Sequence, residues 1–268
     1  ASTMVRVSDV EANGNGADGL YFADVCGGAG EALFVGTNVS ASGNGGCGVR
    51  IQQVQAHGVD AVAGVFMANV TADVNGVHGI YASASSQNGP AQAEFSHISA
   101  SGNHSNGIFL ASLMAHGAGA AAAAGFSAVR ANANSNRGIY AYVNSSAGSA
   151  SARFSDVTAN GNRRDGIYVD YVEGHGATGS AEAVFTDVQA NGNGGDGIAS
   201  WADAYGAGGD ALTTFLRTET HNNRGCGIYT EVYSEQGDAY LTGERVVSFS
   251  NRQDGVQIYT YAGSDVFA

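Results

Sequence analysis

The chain contains no lysine. Its 11 basic residues are all Arg, set against 24 Asp and Glu, for a formal net charge of −13. A basic stripe is the expected footprint of nucleic-acid binding, and none exists, so no nucleic-acid partner is expected. Proline and tryptophan each occur once. Cys26, Cys47 and Cys226 are too few for a disulfide framework and read as free thiols. No apolar run is long enough to span a membrane. No signal-peptide pattern opens the chain, which reads as a mature or excised form. An acidic, lysine-free balance suits an extracellular or cell-surface location. The acids are unevenly spread: none lies between Phe95 and Ser155, and they are dense from Asp156 onward.

Glycine, by contrast, is abundant at 41 residues. It falls at fixed phases, which reads as turn positions rather than flexible low complexity. The pattern Asn-x-x-x-Gly-(Ile/Val/Leu) recurs from Asn15 through Asn44, Asn75, Asn103, Asn134, Asn162, Asn193 and Asn223 to Asn251. A period of about 28–31 residues sustained end to end is the signature of a stacked repeat protein. Rungs beginning at Gly48, Gly107 and Gly166 are longer, and each carries a His-Gly turn at His57, His116 and His175. A two-rung module of roughly 59 residues is therefore the expected unit of duplication.

Within one repeat, Ile167 and Val169 alternate with Tyr168 and Asp170, the period of a half-buried strand. Glu173–Gly179 is a loop by composition. Ala183–Phe185 forms a second strand, Asp187 a bend, and Val188–Ala190 a third short strand. Phe95, Phe126, Phe154, Phe185 and Phe215 share one phase, and Val129, Val157 and Val188 another. Ile139, Val129, Phe126, Phe154 and Ile167 are expected inside the coil, with Tyr140, Tyr168 and Tyr229 outside. The recurrent Asn is expected to stack, its amide bonding the amides above and below. Its tolerance of left-handed backbone suits the turn, and the repeat Gly is expected to supply permissive backbone.

The nine units, spanning Val10 to Tyr261, resemble the repeat of right-handed parallel β-helix proteins, among them pectate-lyase-like proteins and many bacterial surface proteins. The resemblance implies an all-β fold: a single right-handed parallel β-helix (β-solenoid) of about nine rungs over residues 1–268. Its stacked ladder would include Asn103, Asn134, Asn162 and Asn193. The Leu pattern of leucine-rich repeats and the nine-residue spacing of calcium-binding repeats are both absent.

Function is written more faintly. Carboxylates and aromatics mix on the outer face of the first strand, at Tyr140, Tyr142, Tyr168, Asp170, Trp201, Asp203, Tyr229, Glu231, Tyr233, Tyr259 and Tyr261. Aromatic platforms rimmed by carboxylates suit sugar rings. Asp170 and Glu231 are expected two rungs apart, about 9.6 Å by strand spacing, near the roughly 6.5–9.5 Å of inverting glycosidase pairs. Gly174-His175-Gly176 is similar to an element of polygalacturonases, but that family's companion motifs are missing and sister turns repeat the pattern, so it reads as structural. Lyases on this scaffold use Arg or Lys as base, often beside a calcium-binding acidic cluster. Arg163 and Arg164 could serve, yet no lyase motif accompanies them. No metal or cofactor is expected, and no motif supports calcium.

Two functions are therefore expected in outline. One is an extracellular structural β-solenoid, a stalk, adhesin or filament subunit, associating with itself through the solenoid ends. Its support is the regularity, because an active site normally disturbs a repeat with a long insertion. The other is a carbohydrate-active enzyme or carbohydrate-binding module. It would use Asp170, Asp203 and Glu231 as catalytic groups and Tyr140, Tyr142, Tyr168, Trp201 and Tyr229 to bind polysaccharide. Fold alone does not decide between them.

Overall fold

Each turn of the chain lays down one strand in each of two parallel sheets, and about nine turns stack into a β-solenoid. The computed structural model describes residues 1–263; residues 264–268 of the expected span lie outside the described residues. One sheet has 11 strands, running from Thr3–Glu11 through Ala122–Arg130 and Ala150–Thr158 to Ala239–Glu244. The other has 10, running from Leu20–Phe22 through Ile139–Ser145 and Ile167–Gly174 to Val256–Ala262. No described residue is helical.

Register follows the repeat phases. Phe126 pairs with Phe95 on one side and Phe154 on the other, and Val129 with Ile98 and Val157. The five core Phe rings form one stack, with centroids 4.8 Å apart for Phe126 and Phe154 and 5.1 Å for Phe95 and Phe126. Ile139, Val129, Phe126, Phe154 and Ile167 are buried as expected. Tyr140, Tyr168 and Tyr229 take the alternate, half-buried outer positions.

The Asn ladder is continuous. Asn134 donates to Asn162 Oδ1 through both its backbone N–H, at 2.9 Å, and its side-chain amide, at 3.1 Å. Asn103 does the same to Asn134, and Asn193 to Asn223. Each side chain thus replaces a strand-to-strand bond at a corner where the sheet ladder stops.

Two further ladders run beside it with the opposite polarity. In the first, the backbone N–H of Asn160 donates back to Asn132 Oδ1 and that of Asn191 back to Asn160 Oδ1. In the second, Asp196 N–H donates back to Asp165 Oδ1 and Cys226 N–H to Asp196 Oδ1. The residue before the repeat Gly thus accepts a corner bond at Asp18, His78, Asn106, Asp165 and Asp196. Cys47 and Cys226 are buried free thiols at that position, and Cys26 is exposed.

Four expectations need correcting. The ladder Asn does not itself adopt left-handed backbone; the residue before it does, as at Gly102, Ala133 and Gly161. The repeat Gly is required by close approach rather than by φ. A Cβ on Gly138 would lie 2.6 Å from the Gly166 carbonyl oxygen and 2.8 Å from Asn162 Nδ2. The second and third strands expected after Asp170 are one strand, Ala181–Gln189, that bends without breaking at Asp187, where φ is 54°. Only in the last two rungs of this sheet does the strand break as expected, into Ala211–Leu216 and Glu219–His221 and into Ala239–Glu244 and Val247–Phe249. Asp, Asn and His hold most of these bends because their short polar side chains tolerate positive φ. Finally, Glu173 and Gly174 belong to the strand Ile167–Gly174 and not to a loop.

The longer rungs take up their extra length in two places. The first strand bulges between Val169 and Val172, as the equivalent strands do near Ile51 and Leu110. The remainder enters the His-Gly turn. The bulge matters for the outer face, because it inserts one residue into a column of side chains that would otherwise keep strict register.

Candidate functional site

The outer column two residues past each repeat Gly forms a chain of rings. Arg50 sits over Tyr21 and Tyr81, at 5.6 and 5.5 Å. Phe109 and Tyr140 follow, with centroids 4.7 Å apart, then Tyr140 and Tyr168 at 5.9 Å. Most ring faces in this column are turned toward the neighbouring rung. They act mainly as cross-strand pairs, which typically contribute about 0.2–1 kcal/mol each.

Tyr140 and Tyr142 are tied down further. The Tyr140 hydroxyl donates to Asp170 Oδ2 at 2.6 Å and the Tyr142 hydroxyl to Glu173 Oε2 at 3.2 Å. Burial, followed by the Asp170 bond, raises the Tyr140 phenol well above its ordinary range. Burial and then the Glu173 charge push Tyr142 up to about 12. Arg137 lies 3.7 Å over the Tyr168 ring while its Nε donates to Asp165 Oδ2 at 2.9 Å.

The bulge rearranges the acidic part of the face. The sequence spacing aligned Asp170 with Tyr142 and Trp201, but Tyr142 pairs with Tyr171, and Asp170 is the inserted residue. Asp170 is therefore turned to Tyr140. In its place a different column assembles: Asn144, Glu173, Asp203, Tyr233 and Tyr261 are successive register partners. Trp201, Glu231 and Tyr259 form the next column, as the spacing anticipated.

These columns enclose an open groove of about 600 Å³, lined by Tyr171, Glu173, Trp201, Asp203, Tyr205, Glu231, Tyr233 and Tyr261. Of the residues singled out in the sequence, Trp201, Asp203 and Glu231 meet here. Asp170, Tyr140, Tyr142, Tyr168 and Tyr229 do not line it. Tyr233 and Tyr261, which share the phase of Asp203 six residues past the repeat Gly, join them as the spacing anticipates, and Glu173, Tyr171 and Tyr205 are the additions. Glu173 was hidden because a Gly-rich stretch follows it. Tyr171 was hidden because a one-residue bulge leaves no mark in composition.

Asp203 is the most constrained group. It is only 6% exposed, and its Oδ2 accepts a long 3.4 Å bond from the Tyr205 hydroxyl. Burial, then the charges of Glu173 and Glu231, raise its carboxyl to about 7. Glu173 accepts from Asn144 Nδ2 at 2.5 Å, and His175 Nε2 lies 4.0 Å from its Oε2. The His175 ring stacks on Tyr205 at 4.8 Å, so the His-Gly turn buttresses one wall. Arg163 and Arg164 are exposed at their turn and line no part of the groove.

A second concavity, about 560 Å³, follows the left-handed bends around His97, Ala128 and Asp156. It has no facing aromatic rings, and its shape follows from the bends themselves. Among the described residues no group of three or more His, Cys, Asp or Glu is placed to hold a metal ion. No described helix is long and apolar enough to cross a membrane. No protein-family model matches this chain, and comparisons with curated proteins and with solved structures find no similar one.

Proposed function

We propose that this β-solenoid is an extracellular or cell-surface scaffold that binds polysaccharide in the groove around Trp201 and Asp203. The observation that carries the reading is the convergence of five aromatic rings and three carboxylates on one outer face. Rings pair with neighbouring rungs along the whole outer face, and what sets this part apart is that its rings share an open concavity with carboxylates. Apolar ring faces with a few placed polar groups are the usual make-up of a small-molecule site. Trp201 is the only Trp, so its emission reports on the groove directly. Titrating the chain with oligosaccharides while following that emission, beside a glycan array, tests the reading. Binding to no glycan would refute it.

The same assay addresses catalysis. Glu173 and Asp203 are register partners on adjacent strands, whose backbones lie about 4.8 Å apart. Release of reducing ends from a bound polysaccharide would make the scaffold an enzyme, and binding without release would make it a binding module.

A second reading, self-association along the axis, has its own observation. In the last described rung Val256 and Ile258 occupy core phases yet are 42% and 44% exposed, whereas their register partners Ile228 and Thr230 are fully buried. The strand Val256–Ala262 also forms one edge of its sheet, and an exposed edge is a template for another strand. A second copy, or further rungs, would cover both. Contacts of this kind extend rather than close. Light scattering on the chain and on Thr260→Pro is the test. Association that the substitution abolishes supports the reading, and monomers in both cases refute it.

A further inference from the structure

We infer that the groove selects glycans carrying protonated amino groups, such as 2-amino-2-deoxy sugars, over neutral or uronic-acid glycans. The inference rests on the polysaccharide reading above and adds the chemistry of the ligand.

The lining holds Glu173, Asp203 and Glu231 and not one Arg or Lys. Arg137, in the outer column beside Tyr168, is committed to Asp165 and to the Tyr168 ring. His175, beside Glu173, has its ring face against Tyr205. A uronate would therefore add negative charge to a site whose carboxyl groups face no Arg or Lys, and like-charge juxtaposition is a strong means of rejection. An ammonium would do the reverse. It would meet carboxylates for charge and Trp and Tyr rings for cation–π contact, an attraction of about 0.5–2 kcal/mol depending on desolvation.

Asp203 supplies the independent sign that something is missing. It is more than nine-tenths buried, it lines the groove, and its only hydrogen bond among the described residues is the long one from Tyr205. A buried carboxylate is costly unless it is paired. The groups that face it are Glu173 on the preceding rung, Tyr233 and Glu231 on the following one, and Tyr205 on its own chain segment. None of them is a cation. The raised carboxyl pKa of Asp203 is the same deficit seen through its proton. Binding of an ammonium should lower that pKa and expel the proton.

A peptide rich in Lys would satisfy the charges as well. The sugar is favoured because the site is a shallow groove walled by rings, which suits a flat, ring-bearing chain better than a flexible side chain.

The test is calorimetric and fluorescence titration of the full chain with hexamers of glucosamine, N-acetylglucosamine and galacturonic acid, and with pentalysine. The expected order is glucosamine hexamer tightest, by about tenfold or 1.4 kcal/mol over the N-acetylated form, with galacturonic acid hexamer undetected. Rising salt should weaken the glucosamine complex and leave any N-acetylglucosamine complex unchanged. At about pH 6, where the sugar amines are already protonated and the Asp203 carboxyl still largely holds its proton, binding should release protons, read as an enthalpy that depends on the buffer. The E173Q/D203N/E231Q variant, its fold checked by circular dichroism and melting, should lose the preference. Equal affinity for the amino and N-acetyl hexamers would overturn the inference and leave polysaccharide binding standing. Pentalysine binding as tightly as the glucosamine hexamer would overturn the sugar and leave only charge. Binding of no oligosaccharide at all would overturn both.

Discussion

The indole of Trp201 stands between the rings of Tyr168 and Tyr229, at 5.3 and 5.4 Å, over the notch that Ala199 leaves in the outer column. Ala199 pairs in register with both Tyr residues yet is 1% exposed. One side chain therefore restores a continuous ring column and forms a wall of the groove. Trp201→Ala should cost about 1–3 kcal/mol, less than a core aromatic because the indole is half-buried. It should also abolish glycan binding. Chemical denaturation and array binding on one preparation check both, and a variant with unchanged stability would refute the filling role.

Asn134→Ala removes the oxygen that receives both the backbone and side-chain N–H of Asn103. Two buried donors lose their partner, so the expected loss is on the order of 1–3 kcal/mol. A denaturation midpoint equal to that of the parent chain would show that the ladder adds no stability.

Gly138→Ala should be worse than Asn134→Ala, although it adds only one methyl. The Cβ would meet two backbone carbonyl oxygens, of Gly166 and Ala131, and neither can swing aside. Overpacking typically costs about 1–3 kcal/mol, and the rigid surroundings here place the loss at or above the top of that range. Comparing the two melting curves tests the ranking.

The Asp203 carboxyl is raised to about 7 from an ordinary value of 3.8, chiefly by burial. Between those values the folded state holds a proton that the unfolded chain has lost, so stability falls as pH rises through this window and levels off above it. Asp203→Asn removes the penalty. It should match the parent near pH 3 and exceed it by about 2–4 kcal/mol at pH 8. A stability difference that does not change with pH would refute the assignment.

The repeat made the fold legible because stacking puts like residues over like. Nine copies of one Asn-Gly spacing specify rung length, register and the inward and outward faces together, so Phe126 and Tyr140 could be oriented without coordinates. The side-chain ladders through Asn132 and Asp165 were missed because their donors are backbone groups and their acceptors vary in type. The site was half legible. Trp201, Asp203 and Glu231 lie where strict alternation puts them. The bulge before Val172 shifts Asp170 out of its column and brings Tyr171 in, and a bulge depends on how an extra residue is absorbed, by the strand or by the turn. Glu173 looked like loop because its following residues favour turns. It is strand because the rungs on both sides pair with it.

The opposed polarity of the side-chain ladders bears on how such a chain can grow. Every interior rung gives and receives the same Asn-column bonds, so along that column its upper surface is complementary to its own lower surface. The ladder through Asp165 and Asp196, by contrast, is interrupted at Arg137, a donor with no acceptor to offer. A copied two-rung segment spliced between existing rungs would meet matching Asn partners on both sides. Length in this architecture is thus adjustable along the Asn column, whereas the groove around Asp203, which draws on four unlike successive rungs, is built once and cannot be copied by adding a single two-rung module.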